Sequence, residues 1–155
     1  MSSILASGLL CGLWAFIAPF IGLLTWAGFA GCTTFFAIGN SGVTGLVKAM
    51  LCNITGFGCG LLIIWLSNII AIPQSAAIFS GIVTSLMCLI GKLKMINYVP
   101  EIFIGCFSTF AANGNWLVLL FSLLSGVVLG YLCSQLAKEF SNWHVKRTEK
   151  RHNLT

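Results

Sequence analysis

Charge is what this chain has least of. Only 7% of its 155 residues are Asp, Glu, Lys or Arg, against roughly 25% in an ordinary soluble domain, so it has no aqueous surface to offer. The three acids are Glu101, Glu139 and Glu149, and the last two lie in or beside the C-terminal tail. No Asp, Glu, Lys, Arg or His falls at mid-membrane depth in an apolar run. Proton-coupled pumps and ion-coupled carriers usually place one there, so the absence speaks for passive movement of a solute, or for no transport at all. Enzyme constellations are missing too. There is no carboxylate pair at membrane depth, no Ser-His or Cys-His arrangement and no phosphate-binding glycine loop. The chain is not expected to be an enzyme, and nothing in it calls for a cofactor.

Metal ligands are equally scarce. Both histidines, His144 and His152, are in the tail, and the seven cysteines include no Cys-x-x-Cys pair. Most of these cysteines sit in apolar runs, where a thiol behaves as a small hydrophobe. Neither a metal site nor a disulfide framework is expected.

What is abundant is apolar sequence, 58% of the chain, with mean hydropathy +1.00. The apolar runs are long enough to cross a hydrocarbon core of about 30 Å, so one polytopic membrane domain over 1–137 is the simplest reading, followed by a basic tail over 138–155. The net charge of +5 does not make this a nucleic-acid binder, because the basic residues do not cover a face. Lys138, Lys146, Arg147, Lys150 and Arg151 lie in the tail, and Lys48, Lys92 and Lys94 lie at predicted helix ends. That is the placement of topology signals. The N-terminus lacks the positive region and cleavage site of a secretory signal, so the first helix is read as retained.

One stretch occurs twice. Gly31-Cys32-Thr33-Thr34-Phe35-Phe36-Ala37-Ile38-Gly39-Asn40 returns as Gly105-Cys106-Phe107-Ser108-Thr109-Phe110-Ala111-Ala112-Asn113-Gly114-Asn115. The chain reads as six apolar runs, with the copies on the second and the fifth. The first, Ile4 to Leu24, carries Gly8 and Gly12 at small-xxx-small spacing and Pro19 near its far end. The second, Trp26 to Ile38, is roughly 20 Å long at 1.5 Å per residue, less than a full span. Gly39 suits the left-handed position after it, and Asn40 or Ser41 the N-cap of the next helix. The third runs from Val43 to about Ile70, with Gly56, Gly58 and Gly60 set to bend it or admit a neighbour. Pro73 opens a fourth helix reaching about Lys94. The fifth, from Pro100 to about Ala112, is as short as the second. The sixth, Trp116 to Ala137, holds Gly126 and Gly130 at four-residue spacing.

The order long, short, long, given twice, makes two three-helix repeats, about 4–70 and 74–137. If all six runs cross and the tail is cytoplasmic, Lys48, Lys92 and Lys94 also fall in the cytoplasm, as the positive-inside bias requires. Re-entrant short runs would put them on the other side. Three crossings per half invert the second half relative to the first, a recurrent plan for solute-conducting proteins. The expected architecture is therefore all-α, with six transmembrane helices as two inverted repeats and both termini cytoplasmic.

In this scheme Gly31 and Gly105 fall near the middle of the short helices. They would let these helices cross closely, beside Cys32 and Cys106, with Thr33, Thr34, Ser108 and Thr109 facing a narrow path. Neutral hydroxyls offer hydrogen bonds to a small uncharged solute without fixing an ion. The blander reading is that the hydroxyls bond their own helix's carbonyls and the glycines only pack. Asn53, deep in the third run, needs a partner; it either lines the path or bonds across to a neighbouring helix. Glu101 opens the fifth helix, where the helix dipole and nearby Lys92 or Lys94 favour its charge.

Several strings look familiar. Gly12-Leu13-Trp14, the run from Gly22 through Trp26-Ala27-Gly28-Phe29-Ala30-Gly31-Cys32-Thr33, Val99-Pro100, Phe103-Ile104-Gly105, Thr109-Phe110-Ala111, and Gly114 with Trp116 resemble the bacterial inner-membrane family typified by YcdZ, a domain of unknown function. The resemblance runs to about Ser134 and implies a multi-pass inner-membrane protein. Where that family's second copy tends to read Phe-Ala-x-x-Gly-Asp-Trp, this chain has Asn115, so no role for an acid carries over. The residues themselves, not the resemblance, point to a channel or facilitator for a small uncharged solute, and the glycine faces of so small a bundle to a homo-oligomer within the lipid bilayer. The alternatives are a non-transporting membrane assembly protein and, third, a coupled secondary carrier.

Overall fold

The computed structural model describes residues 2–39, 42–70 and 72–152. Among them are six α-helices and no strand: α1 Ser2–Phe20, α2 Thr25–Ile38, α3 Val43–Ile69, α4 Ser75–Ile90, α5 Val99–Ala111 and α6 Trp116–His152. A backbone that satisfies all its hydrogen bonds within the segment is what an apolar chain in lipid must adopt. α3 and the Trp116–Ser141 part of α6 are long and apolar enough to cross a membrane, while the other four apolar helices are shorter. α2 has 14 residues and α5 has 13, about 20 Å each at 1.5 Å rise.

The packing is crossed. α5 lies chiefly against α3, and α2 chiefly against α6; α1 packs on α6, α4 on α3, and α3 touches α6. Each short helix therefore beds against a long helix distant in sequence, more than against the one that follows it. Bare backbone makes this possible. A Cβ on Gly31 would overlap the Leu123 carbonyl oxygen, and one on Gly126 the Gly28 carbonyl oxygen. On the other side, a Cβ on Gly105 would meet the Asn53 oxygen, and one on Gly56 the Ile102 oxygen. Gly130 follows against Cys32 and Phe35, as Gly60 does against Cys106 and Thr109. The residue numbers rise together across both interfaces, so α2 runs parallel to α6 and α3 parallel to α5.

Around these seams sit three apolar clusters. The largest joins Ala49, Cys52, Val83, Met87 and Ile102. A second gathers Ala27, Ala112, Leu119 and Leu123. The third, of Cys32, Leu129 and Cys133, takes Trp14 against it. The Trp14 ring covers Gly28, and its Nε1 donates to the Thr25 carbonyl at 3.1 Å, which pins α1 to the start of α2.

Several expected boundaries move. α1 ends at Phe20, one residue after Pro19, and the chain turns at Gly22 with φ 72°. Pro73 does not open α4. Gln74 adopts the left-handed conformation at φ 62°, which no helix continues through, so α4 starts at Ser75. It stops at Ile90 rather than about Lys94, because Lys92 and Leu93 donate to Leu89 and Ile90 three residues back, a tightened last turn. Gly39 does close α2 in the left-handed region at φ 68°. Asn40 and Ser41 lie outside the described residues. α6 does not end near Ala137 but continues to His152, through the segment read as a polar tail. Gly8 and Gly12 meet nothing: a Cβ at either has no neighbour within 4 Å.

Gly126→Ala and Gly56→Ala should each destabilise the fold, because the added methyl enters backbone; overpacking typically costs about 1–3 kcal/mol. Gly12→Ala, in open space, should be neutral or gain up to about 1 kcal/mol of helix propensity. Denaturant titration in detergent micelles reads both. Equal stability of Gly126→Ala and the unsubstituted chain would contradict this packing.

Candidate functional site, a buried polar crossing

Where the crossed helices meet, the apolar core carries polar side chains. Thr34 of α2, Asn53 of α3 and Ser108 of α5 are fully buried, and Thr109 is 1% exposed. Thr34 Oγ1 lies 3.0 Å from Asn53 Oδ1 and 3.1 Å from the Ala30 carbonyl oxygen. A hydroxyl has one proton, so Thr34 donates to one of these at a time. Donation to Asn53 joins α2 to α3 and leaves the Asn53 Nδ2 without a partner. Thr109 Oγ1 donates to the Gly105 carbonyl at 2.9 Å and approaches the Phe57 carbonyl at 3.4 Å.

Two groups here are left over. Asn53 Nδ2 and Ser108 Oγ are buried without a hydrogen-bond partner, and such a group costs about 1–3 kcal/mol. Ser108 lies one turn along α5 from the place where Gly105 touches Asn53. Because Thr34, Asn53 and Ser108 are fully buried, none of them borders a water-accessible space.

The glycines of the repeat allow a close approach, but not to each other: Gly31 meets α6 and Gly105 meets α3. Cys32 and Cys106 are buried beside them, in separate apolar clusters. Thr33 stands apart from the crossing. It is exposed and donates to its own helix at Phe29 O, 2.9 Å away. Helical period explains this, since Trp26, Phe29 and Phe36 share its outward stripe and Phe103, Phe107 and Phe110 form the matching stripe on α5. Thr33 occupies the position that Phe107 holds in the second copy.

One polar feature escaped sequence reasoning, and another was read only in part. Ser122, fully buried in α6, accepts from the Leu24 N–H at 2.9 Å and donates to the Val118 carbonyl at 2.6 Å. It ties the α1–α2 link to α6, and a serine in a Leu/Phe run gives no periodic signal of that. The other lies at one end of α5. Glu101 is 6% exposed with Oε2 unpartnered, while the Lys48 ammonium sits over the Tyr98 ring, 5.3 Å from its centre, and not on the acid. Its position at the first turn of α5 was legible; its burial was not. No group of three His, Cys, Asp or Glu side chains poised to hold a metal occurs among the described residues.

A helical bundle with apolar outer stripes and a buried polar join is the construction of a membrane protein, and the comparisons agree. Residues 4–138 match the family described as protein of unknown function (DUF1097), and the chain belongs to that family. It is 36% identical over 132 residues to inner membrane protein YcdZ of Escherichia coli strain K12, covering 84% of this chain and 81% of that one. Over 151 residues it is 35% identical to inner membrane protein YcdZ of Salmonella typhimurium strain LT2, covering 97% and 92%. The uncharacterized protein YahC of Escherichia coli strain K12 is 24% identical over 155 residues, covering 90% and 92%. No solved structure matches. These relatives support a bacterial inner-membrane protein in a lipid environment.

A double-mutant cycle tests the side-chain to side-chain bond between α2 and α3. Thr34→Val and Asn53→Leu should couple by about 0.6–1.7 kcal/mol, the range for hydrogen bonds between membrane helices. Additive effects on unfolding in micelles would mean that the bond holds nothing together.

Proposed function

We propose that this chain is a facilitator for a small uncharged polar solute across the bacterial inner membrane. It would be built as two inverted three-helix repeats with six crossings and both termini in the cytoplasm. Supporting the inversion, α2 runs with α6 and α3 with α5, so the two short helices oppose each other. Gly31, Gly126 and Gly130 at one seam match Gly105, Gly56 and Gly60 at the other. Lys48, Lys92 and Lys94 then share the cytoplasmic side with the basic tail, as the positive-inside bias asks.

The observation that carries the solute reading is the pair of unpartnered groups, Asn53 Nδ2 and Ser108 Oγ, at the join of the repeats. A solute acceptor would complete the Asn53 amide and a solute donor or acceptor the Ser108 hydroxyl, supplying the bonds that these two groups lack. An ion would meet no charge there to offset its own desolvation. The closed crossing is then the occluded state, and passage requires it to part. Thr34, Asn53, Ser108 and Thr109 line this path.

A second reading, that the protein assembles with further copies or a partner and moves nothing, is favoured by the unused small face at Gly8 and Gly12. A homo-oligomer formed there is compatible with both. A carrier coupled to an ion stands third, for want of a charge at mid-depth.

Stopped-flow swelling of proteoliposomes with a panel of small alcohols and amides separates these readings. Flux above empty vesicles is expected, falling at least several-fold in Asn53→Leu and unchanged in Thr33→Val, whose hydroxyl points outward. Permeation no faster than through empty vesicles for every solute would remove the facilitator reading, and recovery of oligomers that Gly12→Leu disperses would then favour assembly.

A further inference from the structure

An apolar groove of about 490 Å³ runs along the outer side of α3. Gly58, Leu61, Leu62 and Trp65 form its floor and walls, and Trp116 at the start of α6 closes one flank. Asn68 and Ile69 lie at the end where α3 finishes. The groove exists because Gly58 has no side chain: a Cβ there would meet nothing within 4 Å. Below it on the same stripe, Ile54 and Val47 project again, 45% and 41% exposed.

Its length decides what fits. Gly58 to Ile69 is about 17 Å at 1.5 Å per residue, close to half of a hydrocarbon core of about 30 Å. The groove therefore spans one leaflet and stops at the bilayer midplane. A neighbouring transmembrane helix runs the full thickness and would collide with Ile54 and Val47. A phospholipid chain ends at the midplane. At the open end Trp65 and Trp116 lie where indoles settle at the membrane interface, and the Asn68 amide adds hydrogen-bonding capacity at headgroup depth.

We propose that this groove is a binding site for one acyl chain of a bilayer phospholipid, taken from the leaflet in which α3 ends, with the headgroup beside Asn68 and the two tryptophans. The acyl chain lies on Gly58, and the site exchanges lipid more slowly than the rest of the protein's perimeter.

A photo-crosslinking residue in place of Leu61, irradiated in vesicles of phosphatidylethanolamine and phosphatidylglycerol, reads the occupant by mass spectrometry. The expected product is the chain plus one phospholipid. Gly58→Phe, which fills the floor from the surface side, should abolish that adduct and the phospholipid retained through detergent purification, while the thermal midpoint stays unchanged. A crosslinked chain dimer, no adduct, or an adduct that survives Gly58→Phe undiminished would each overturn the proposal. The unsubstituted groove already answers the first question, so a misfolded Gly58→Phe leaves the test intact.

Discussion

Backbone lying on backbone at four glycines holds this fold together. Lipid tails are as apolar as Leu, so helices in a bilayer gain little by hiding side chains from it and associate instead through close packing. Gly31 and Gly126 bring α2 onto α6, and Gly105 and Gly56 bring α5 onto α3. Helices of 14 and 13 residues are too short to be secure alone in the membrane. Each is gripped by a long helix from the other part of the chain, so neither half can be drawn away without exposing the other's short helix.

The same grip positions the polar residues. Gly105 brings α5 against the Asn53 main-chain carbonyl, and the Asn53 side chain reaches across to Thr34 on α2, so three helices meet at one residue. Apolar packing would be as dense without it, and replacing buried polar groups by apolar ones of similar shape is often neutral or stabilising. Two polar atoms left unpaired in such a place cost stability that the bundle has no structural need to give up. On the proposed function, occupation by a passing solute would give them a use. The hydroxyls that bond their own helices, Thr33, Thr34 and Thr109, show that much of the local polarity is also simply satisfied in place.

Much of the architecture was legible in the sequence because it is written in residues with few options. Gly39 closes α2, Trp116 opens α6, and the short lengths of α2 and α5 follow from the spacing of their flanking turns. The repeated Gly-Cys strings marked two backbones that approach something closely. They could not say what, since a bare Cα carries no address, and the partners proved to be α6 and α3. Thr33 was misplaced because it adjoins Thr34 in sequence while a helix turns about 100° between them; the stripe of Trp26, Phe29 and Phe36 held the answer. Gly8 and Gly12 read as a packing motif but face open space. Pro73 has the look of a helix start, but the left-handed Gln74 separates it from α4, a conformation that a glutamine rarely adopts and no pattern signals.

The most direct test is which side of the membrane each short helix ends on. Epitopes inserted beside Gly39 and beside Gly114, probed with protease in right-side-out and inside-out vesicles, report it. The proposed inverted arrangement would place the Gly39 turn in the cytoplasm and the Gly114 turn across the membrane from it. Finding both turns cleaved from the same face would contradict it.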